Sequence, residues 1–236
     1  MRILHGRAWA ARLALVAALG LAPFGTTASA SALPTTTGSV APFAAQAKAA
    51  GLTAAQAASL QAQVGRILAK DGGHQVAANE IALPHGASVL LPLPGQMHAR
   101  VLPGAVNLGF APAGSTREGR THPEGAVQPQ DSISQWPQDG QAANWNGNWC
   151  YYGYFCAWTG EGASGAQFNV SQCNVDQELP GSGWDGTGSW FNNQTPGTQA
   201  LLKDKNHSLV TLSAPPKSED FDQNWGPIWY LDACQH

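Results

Sequence analysis

The sequence predicts an all-β sandwich over its C-terminal half, preceded by a small α+β helix–hairpin region and a linker. Three observations predict it. Between Trp145 and Cys234, short aromatic and β-branched runs alternate with Gly, Asn, Asp and Pro, the rhythm of a sandwich. Between Phe43 and Lys70 the chain is rich in Ala and Gln, with one apolar face at helical spacing. Charge, finally, divides the 236 residues in two. Residues 1–130 hold nine basic and four acidic side chains, a net +5. Residues 131–236 hold three Lys, no Arg and eleven acidic groups, a net −8, with all four Cys and eight of the nine Trp. An Arg-free acidic half has no basic stripe for a phosphate backbone, so nucleic acid is excluded as its partner.

Residues 1–32 have the form of a secretory signal peptide. Arg2, Arg7 and Arg12 make a positive region, Leu13 to Ala22 is apolar, and small residues through Ala28, Ala30 and Ala32 offer cleavage. A bilayer span would need about 20 apolar residues, twice this run. The expected mature protein is secreted, extracellular, monomeric and free of the membrane, and an even number of Cys fits an oxidising compartment.

Residues 33–102 follow as the helix-plus-hairpin region. Thr53 and Gln56 have capping-box spacing, Leu60, Val64, Ile67 and Leu68 share a face, and Gly72-Gly73 ends the helix. Val76–Leu83 and Ser88–Leu93 read as two strands around Pro84-His85-Gly86. The region reads either as a pro-segment or as a piece that packs against the remainder. Residues 103–140 have linker composition, with five Pro and six Gly, and Arg117 and Arg120 read either as cleavage points or, more commonly for a linker, as solubilising charges. Residues 141–236 form the expected disulfide-bonded domain. Its predicted strands centre on Tyr154–Trp158, Gln167–Val170, Ser189–Phe191, Ala200–Leu202, Ser208–Leu212 and Pro227–Leu231.

The segment from Phe155 to Ser171 carries the most specific pattern. Trp158 is followed seven residues later by Gly165, and Ser171 stands six beyond. A hairpin folded back over its own sheet needs a residue at φ > 0, which Gly supplies; the hydroxyl can tie the loop and the aromatic can cover it. This resembles the βγ-crystallin Greek-key signature. With Cys150-x5-Cys156 before it and Gly160-x-Gly162-x-Ser164-Gly165-Ala166 after it, the stretch looks like the secreted actinobacterial peptidase-inhibitor family typified by the Streptomyces metalloproteinase inhibitor. The resemblance covers residues 145–234 and implies a βγ-crystallin-like Greek-key sandwich. The second key departs from the pattern, with Leu202 at the aromatic position and Leu209 at the Gly position. Four Cys allow three connectivities; the expected pairing is Cys150–Cys156 and Cys173–Cys234.

The resemblance implies a proteinaceous inhibitor that presents a rigid loop to a secreted protease. The corresponding stretch here is Thr211, Leu212, Ser213, Ala214 and Pro215, with Leu212–Ser213 as the bond offered and Pro215-Pro216 stiffening the exit. Typical members brace this loop with a Cys pair that this sequence lacks. A binding module is the alternative, with Trp145, Trp149, Trp184 and Trp225 as stacking platforms for carbohydrate or cell-wall ligands. Calcium finds only Asp185 and Ser189 in the crystallin position, too few oxygen ligands. No cofactor, metal site or enzymatic activity is expected. No His-Glu-x-x-His or Gly-x-Ser-x-Gly occurs, and the acidic half offers only His207 and His236 to a hydrolytic triad.

Overall fold

The computed structural model describes residues 43–103, 143–145 and 148–234. The signal-peptide reading of residues 1–32, nearly all of the linker and His236 lie outside the described residues. The described chain is mostly antiparallel β-sheet with few helices.

Two helices open it, α1 (Ala44–Ala49) and α2 (Ala54–Asp71). The expected single helix breaks at Gly51 (φ 84°), and the capping box then starts α2: Gln56 N donates to Thr53 Oγ1 at 3.2 Å and Thr53 N donates to Gln56 Oε1 at 2.9 Å. Leu60, Val64 and Ile67 are the buried face. Three strands follow where two were expected. Ala78 and Asn79 turn the predicted Val76–Leu83 strand into a hairpin of β1 (His74–Ala77) and β2 (Glu80–Ala82), and β3 (Ser88–Leu90) comes after a turn at Pro84–Gly86.

Ten strands make up the second half: β4 (Ala143–Trp145), β5 (Asn148–Cys150), β6 (Tyr154–Gly160), β7 (Ser164–Val170), β8 (Gln177–Glu178), β9 (Thr187–Asn193), β10 (Leu201–Lys203), β11 (Leu209–Leu212), β12 (Ser218–Asn224) and β13 (Tyr230–Asp232). They enter a seven-stranded sheet ordered β1-β2-β3-β7-β6-β9-β12, a four-stranded sheet ordered β11-β10-β13-β8, and the separate hairpin β4-β5. Strands β6–β9 and β10–β13 repeat one connectivity. In each run a hairpin forms, the third strand is given to the other sheet, and the fourth returns to pair with the first.

The described part of residues 33–102 packs against residues 141–236, one of the two readings the sequence leaves open for it. Strand β3 pairs with β7 (Ser88↔Asn169, Val89↔Phe168, Leu90↔Gln167), so the helix–hairpin region extends the same sheet. One core joins Leu60, Val64, Ile81, Val89 and Leu93 to Phe155, Phe168, Trp184, Trp225 and Leu231. Helix α2 docks beside β8, where Lys70 Nζ lies 2.9 Å from Glu178 and Gly181 N donates to Asp71 Oδ2 at 3.0 Å.

Both expected disulfides are present, Cys150–Cys156 and Cys173–Cys234. The second closes a separation of 61 residues, for which the loop-entropy model gives about 4 kcal/mol.

Candidate functional site

The fold's first corner forms where β6 turns into β7. Gly165 has φ 79°, and a Cβ there would stand 2.1 Å from Thr159 Oγ1, which accepts from Ala166 N at 2.9 Å. Trp158 is fully buried and its carbonyl accepts from the Trp225 indole N–H at 2.8 Å. The residue that ties the corner is Ser189, not Ser171. Ser189 Oγ accepts from Ala163 N at 2.9 Å and donates to Gly160 O at 2.9 Å. Ser171 instead hydrogen-bonds the Tyr154 hydroxyl, whose pKa burial pushes up to about 12.

The second corner, between β10 and β11, is built from other groups. Asp204 Oδ1 accepts from Asn206 N at 2.8 Å and Ser208 N at 2.9 Å, holding His207 at φ 60°. The His207 ring stacks on Tyr230 with centroids 4.0 Å apart, and its Nδ1 lies 2.6 Å from Asp176 Oδ2. Lys203 Nζ bridges Asp176 Oδ1 (2.5 Å) and Asp232 Oδ2 (3.3 Å). Burial alone would raise the Asp176 pKa, but hydrogen bonds from Lys203 and His207 outweigh it and the carboxyl is held below its usual range.

From this corner the chain runs into the stretch singled out as an inhibitory loop. Its first part is not loop but β11, which among the described strands pairs with β10 alone. All four β11 residues are exposed, including Leu209, Val210 and Leu212. Then the environment changes within one residue: Leu212 is 43% exposed and Ser213 is 2% exposed.

Ser213 is fixed from four directions. Its N–H donates to Ala200 O at 2.8 Å, its Oγ accepts from Ala200 N at 2.9 Å and from Asn192 Nδ2 at 3.2 Å, and its carbonyl accepts from Gln199 Nε2 at 2.5 Å. Asn192 belongs to β9 of the other sheet and is fully buried. The same amide nitrogen reaches Ala214 O at 3.0 Å and Thr198 O at 3.3 Å. Lys217 N donates to Asn192 O at 2.7 Å, and Ser218 Oγ donates to Pro215 O. Asn192 thus ties the Ser213–Ala214 segment to β9, and nothing local in the sequence marks it.

Main-chain direction follows from these bonds. Backbone groups alternate sides along a strand, so with Ser213 N–H directed at Ala200 O the Leu212 N–H faces away from β10, while the Leu212 carbonyl accepts from Thr211 Oγ1 at 3.3 Å. The ladder pairs Leu201↔Leu212, Leu202↔Thr211 and Lys203↔Leu209, with a bulge at Val210. The bulge brings Leu209 and Leu212, three residues apart, to one face of the strand.

The aromatic platforms fare differently. Trp225 is fully buried and Trp184 is 8% exposed, their rings edge-to-face at 5.3 Å. Both are core residues and leave the set of surface candidates. Trp145 and Trp149 lie on β4 and β5, and their side chains lie outside the described residues. The described tryptophan that does reach solvent is Trp229, 49% exposed, which the sequence reading passed over. Among the described residues no group of three metal-ligating side chains is gathered, and no described helix is long and apolar enough to cross a membrane.

No protein-family model matches the chain, and no curated protein and no solved structure matches it.

Proposed function

We propose that this is a secreted peptidase inhibitor built on a βγ-crystallin-like double Greek key, with Leu212–Ser213 as the bond it offers. One observation carries the reading: an exposed Leu212 is joined to a buried Ser213 whose amide, hydroxyl and carbonyl are all held. A peptidase nucleophile attacks the Leu212 carbonyl carbon, the C–N bond breaks, and the proton passes to the Ser213 nitrogen, which becomes the leaving amine. In an ordinary substrate that amine diffuses away. Here the bonds to Ala200, Gln199 and Asn192 keep it beside the acyl-enzyme, where it re-forms the peptide bond and expels the nucleophile. Rigidity before binding supplies affinity as well, because little conformational freedom is lost.

The crystallin-like reading draws support from the repeated strand exchange between sheets and from the Trp158, Gly165 and Ser189 corner. Secretion draws support from the form of residues 1–32 and from two disulfides. The test is titration of the full mature chain against subtilisin-like, papain-like and thermolysin-like peptidases. Inhibition with sub-micromolar affinity is expected, and its absence from all three at micromolar protein would refute the reading.

A second reading, a module binding carbohydrate or cell-wall polymer, is favoured by Trp229 alone. Retention on insoluble polysaccharide, lost in Trp229→Ala, would support it.

A further inference from the structure

Resting on the inhibitor reading, we propose that the target is a subtilisin-like serine peptidase, one with two apolar pockets that receive the first and fourth residues before the scissile bond. Peptidase classes differ in which side chain they read, and the segment offers few to be read. Thermolysin-like metallopeptidases fill a pocket with the residue after the bond. That residue is Ser213, small, polar and 2% exposed, so it has nothing to insert. Papain-like cysteine peptidases read an apolar residue second before the bond, where this chain has Thr211. Trypsin-like enzymes need a cation at the first position and find Leu212.

What is available is apolar and correctly disposed. Leu212 and Leu209 are 43% and 52% exposed and share one face of β11. A regular strand would turn residues three apart to opposite faces; the bulge at Val210 removes that alternation. Among the described strands β11 pairs with β10 alone, and its other edge is open to add to an enzyme strand, the β-augmentation by which extended peptides enter clefts. Beyond the bond, β12 carries Asp220 and Asp222, an acidic flank that a positively charged enzyme rim would complement.

The test uses the full mature chain against a basic subtilisin, chymotrypsin, trypsin, papain and thermolysin. Subtilisin is expected to be inhibited most strongly, with an association rate that falls as salt rises. Leu212→Asp and Leu209→Asp should each weaken subtilisin inhibition by about 100-fold or more, the loss typical of an anchor residue. Val210→Asp should change it by less than about 10-fold, since its contacts lie off the apolar pockets. Melting curves of the three variants should match wild type, because all three side chains are exposed. Mass spectrometry after long incubation with trace subtilisin should find a single cut, between Leu212 and Ser213. Stronger inhibition of thermolysin or papain than of subtilisin would overturn this target while leaving the inhibitor reading intact. Inhibition of none of the five would overturn both. Subtilisin inhibition indifferent to Leu209→Asp would overturn the two-pocket arrangement.

Discussion

Val89 stands directly opposite Phe168 across the β3–β7 ladder, so the helix–hairpin region and the disulfide-bonded region are neighbours in one sheet. Both side chains are buried in the same core as Leu60 and Ile81. Residues 141–236 produced alone would therefore open β7 as an unpaired edge and strip the cover from Phe168. Removing that much core exceeds the roughly 5–15 kcal/mol that holds a typical domain. The expected outcome is a fragment that binds a hydrophobic dye and melts without a cooperative transition. Adding residues 43–103 in trans should restore one. A sharp, unassisted melt of the fragment would show that the two parts are independent.

Two glycines of the first corner separate backbone strain from steric clash. Gly162 has φ 58° and open space where a Cβ would sit, so Gly162→Ala should cost only the left-handed penalty, about 1–2 kcal/mol. Gly165→Ala adds a Cβ placed 2.1 Å from Thr159 Oγ1 and displaces the Thr159–Ala166 bond, for about 3 kcal/mol or more in all. In the same corner Ser189→Ala should cost about 1–3 kcal/mol, by removing the hydroxyl that joins Ala163 N to Gly160 O, and more than Ser171→Ala. Chemical denaturation of the four variants checks the order.

Carboxyl groups at two places give the pH profile opposing slopes. Asp176 titrates below its ordinary value, so its contribution to stability is present above the unfolded pKa of about 3.9 and is lost as pH falls through the lower folded one. Asp176→Asn should lower the melting temperature at pH 7, with the difference shrinking as pH falls below the unfolded value of about 3.9. Glu219 is raised by burial, and its Oε2 has no hydrogen-bond partner. A raised carboxyl costs stability above its folded pKa, and the cost lifts as pH falls toward the unfolded value. Glu219→Gln should accordingly raise the melting temperature at pH 7, with the gain vanishing below about pH 4. Identical pH dependence in wild type and both variants would contradict the two assignments.

What the sequence made legible was local, and what it hid was distant. The capping box at Thr53, the apolar face of α2 and the turn at Gly165 each lie within a few residues, where spacing is a direct record of geometry. Ser189 was missed because it ties a corner 24 residues upstream of it in the chain (Gly165), a distance at which hydrogen bonding leaves no periodicity. Strand β12 was missed for a different reason. As an edge strand it contributes no fully buried residue, and Ser218-Glu219-Asp220-Phe221-Asp222 carries no alternating apolar signal. Trp184 and Trp225 looked like surface platforms because composition counts rings without saying which way they face. Gly188 settles that for Trp225: a Cβ there would lie 2.2 Å from the Trp225 indole nitrogen, so the missing side chain is what admits the ring.

Asn192 is where stability and inhibition separate. Truncation to Ala takes the donor from Ser213 Oγ and Thr198 O and leaves Ala214 O with the Ser213 hydroxyl alone, for a loss of about 2–3 kcal/mol. A residue that only supports the fold would change the melting temperature and leave the peptidase encounter as it was. A residue that holds the leaving amine in place would do more. In Asn192→Ala, at a temperature where the variant is fully folded, Leu212–Ser213 should be cut at least about 10-fold faster, because a loosened Ser213 drifts from the acyl-enzyme before it can re-form the bond. Asn192→Asp keeps the size, retains Oδ1 for Gln194 N and loses the donor, so it should be cut as fast as the alanine variant. Equal cutting rates in wild type and both variants, with only the melting temperatures changed, would return Asn192 to a purely structural role and take the brace away from the proposed mechanism.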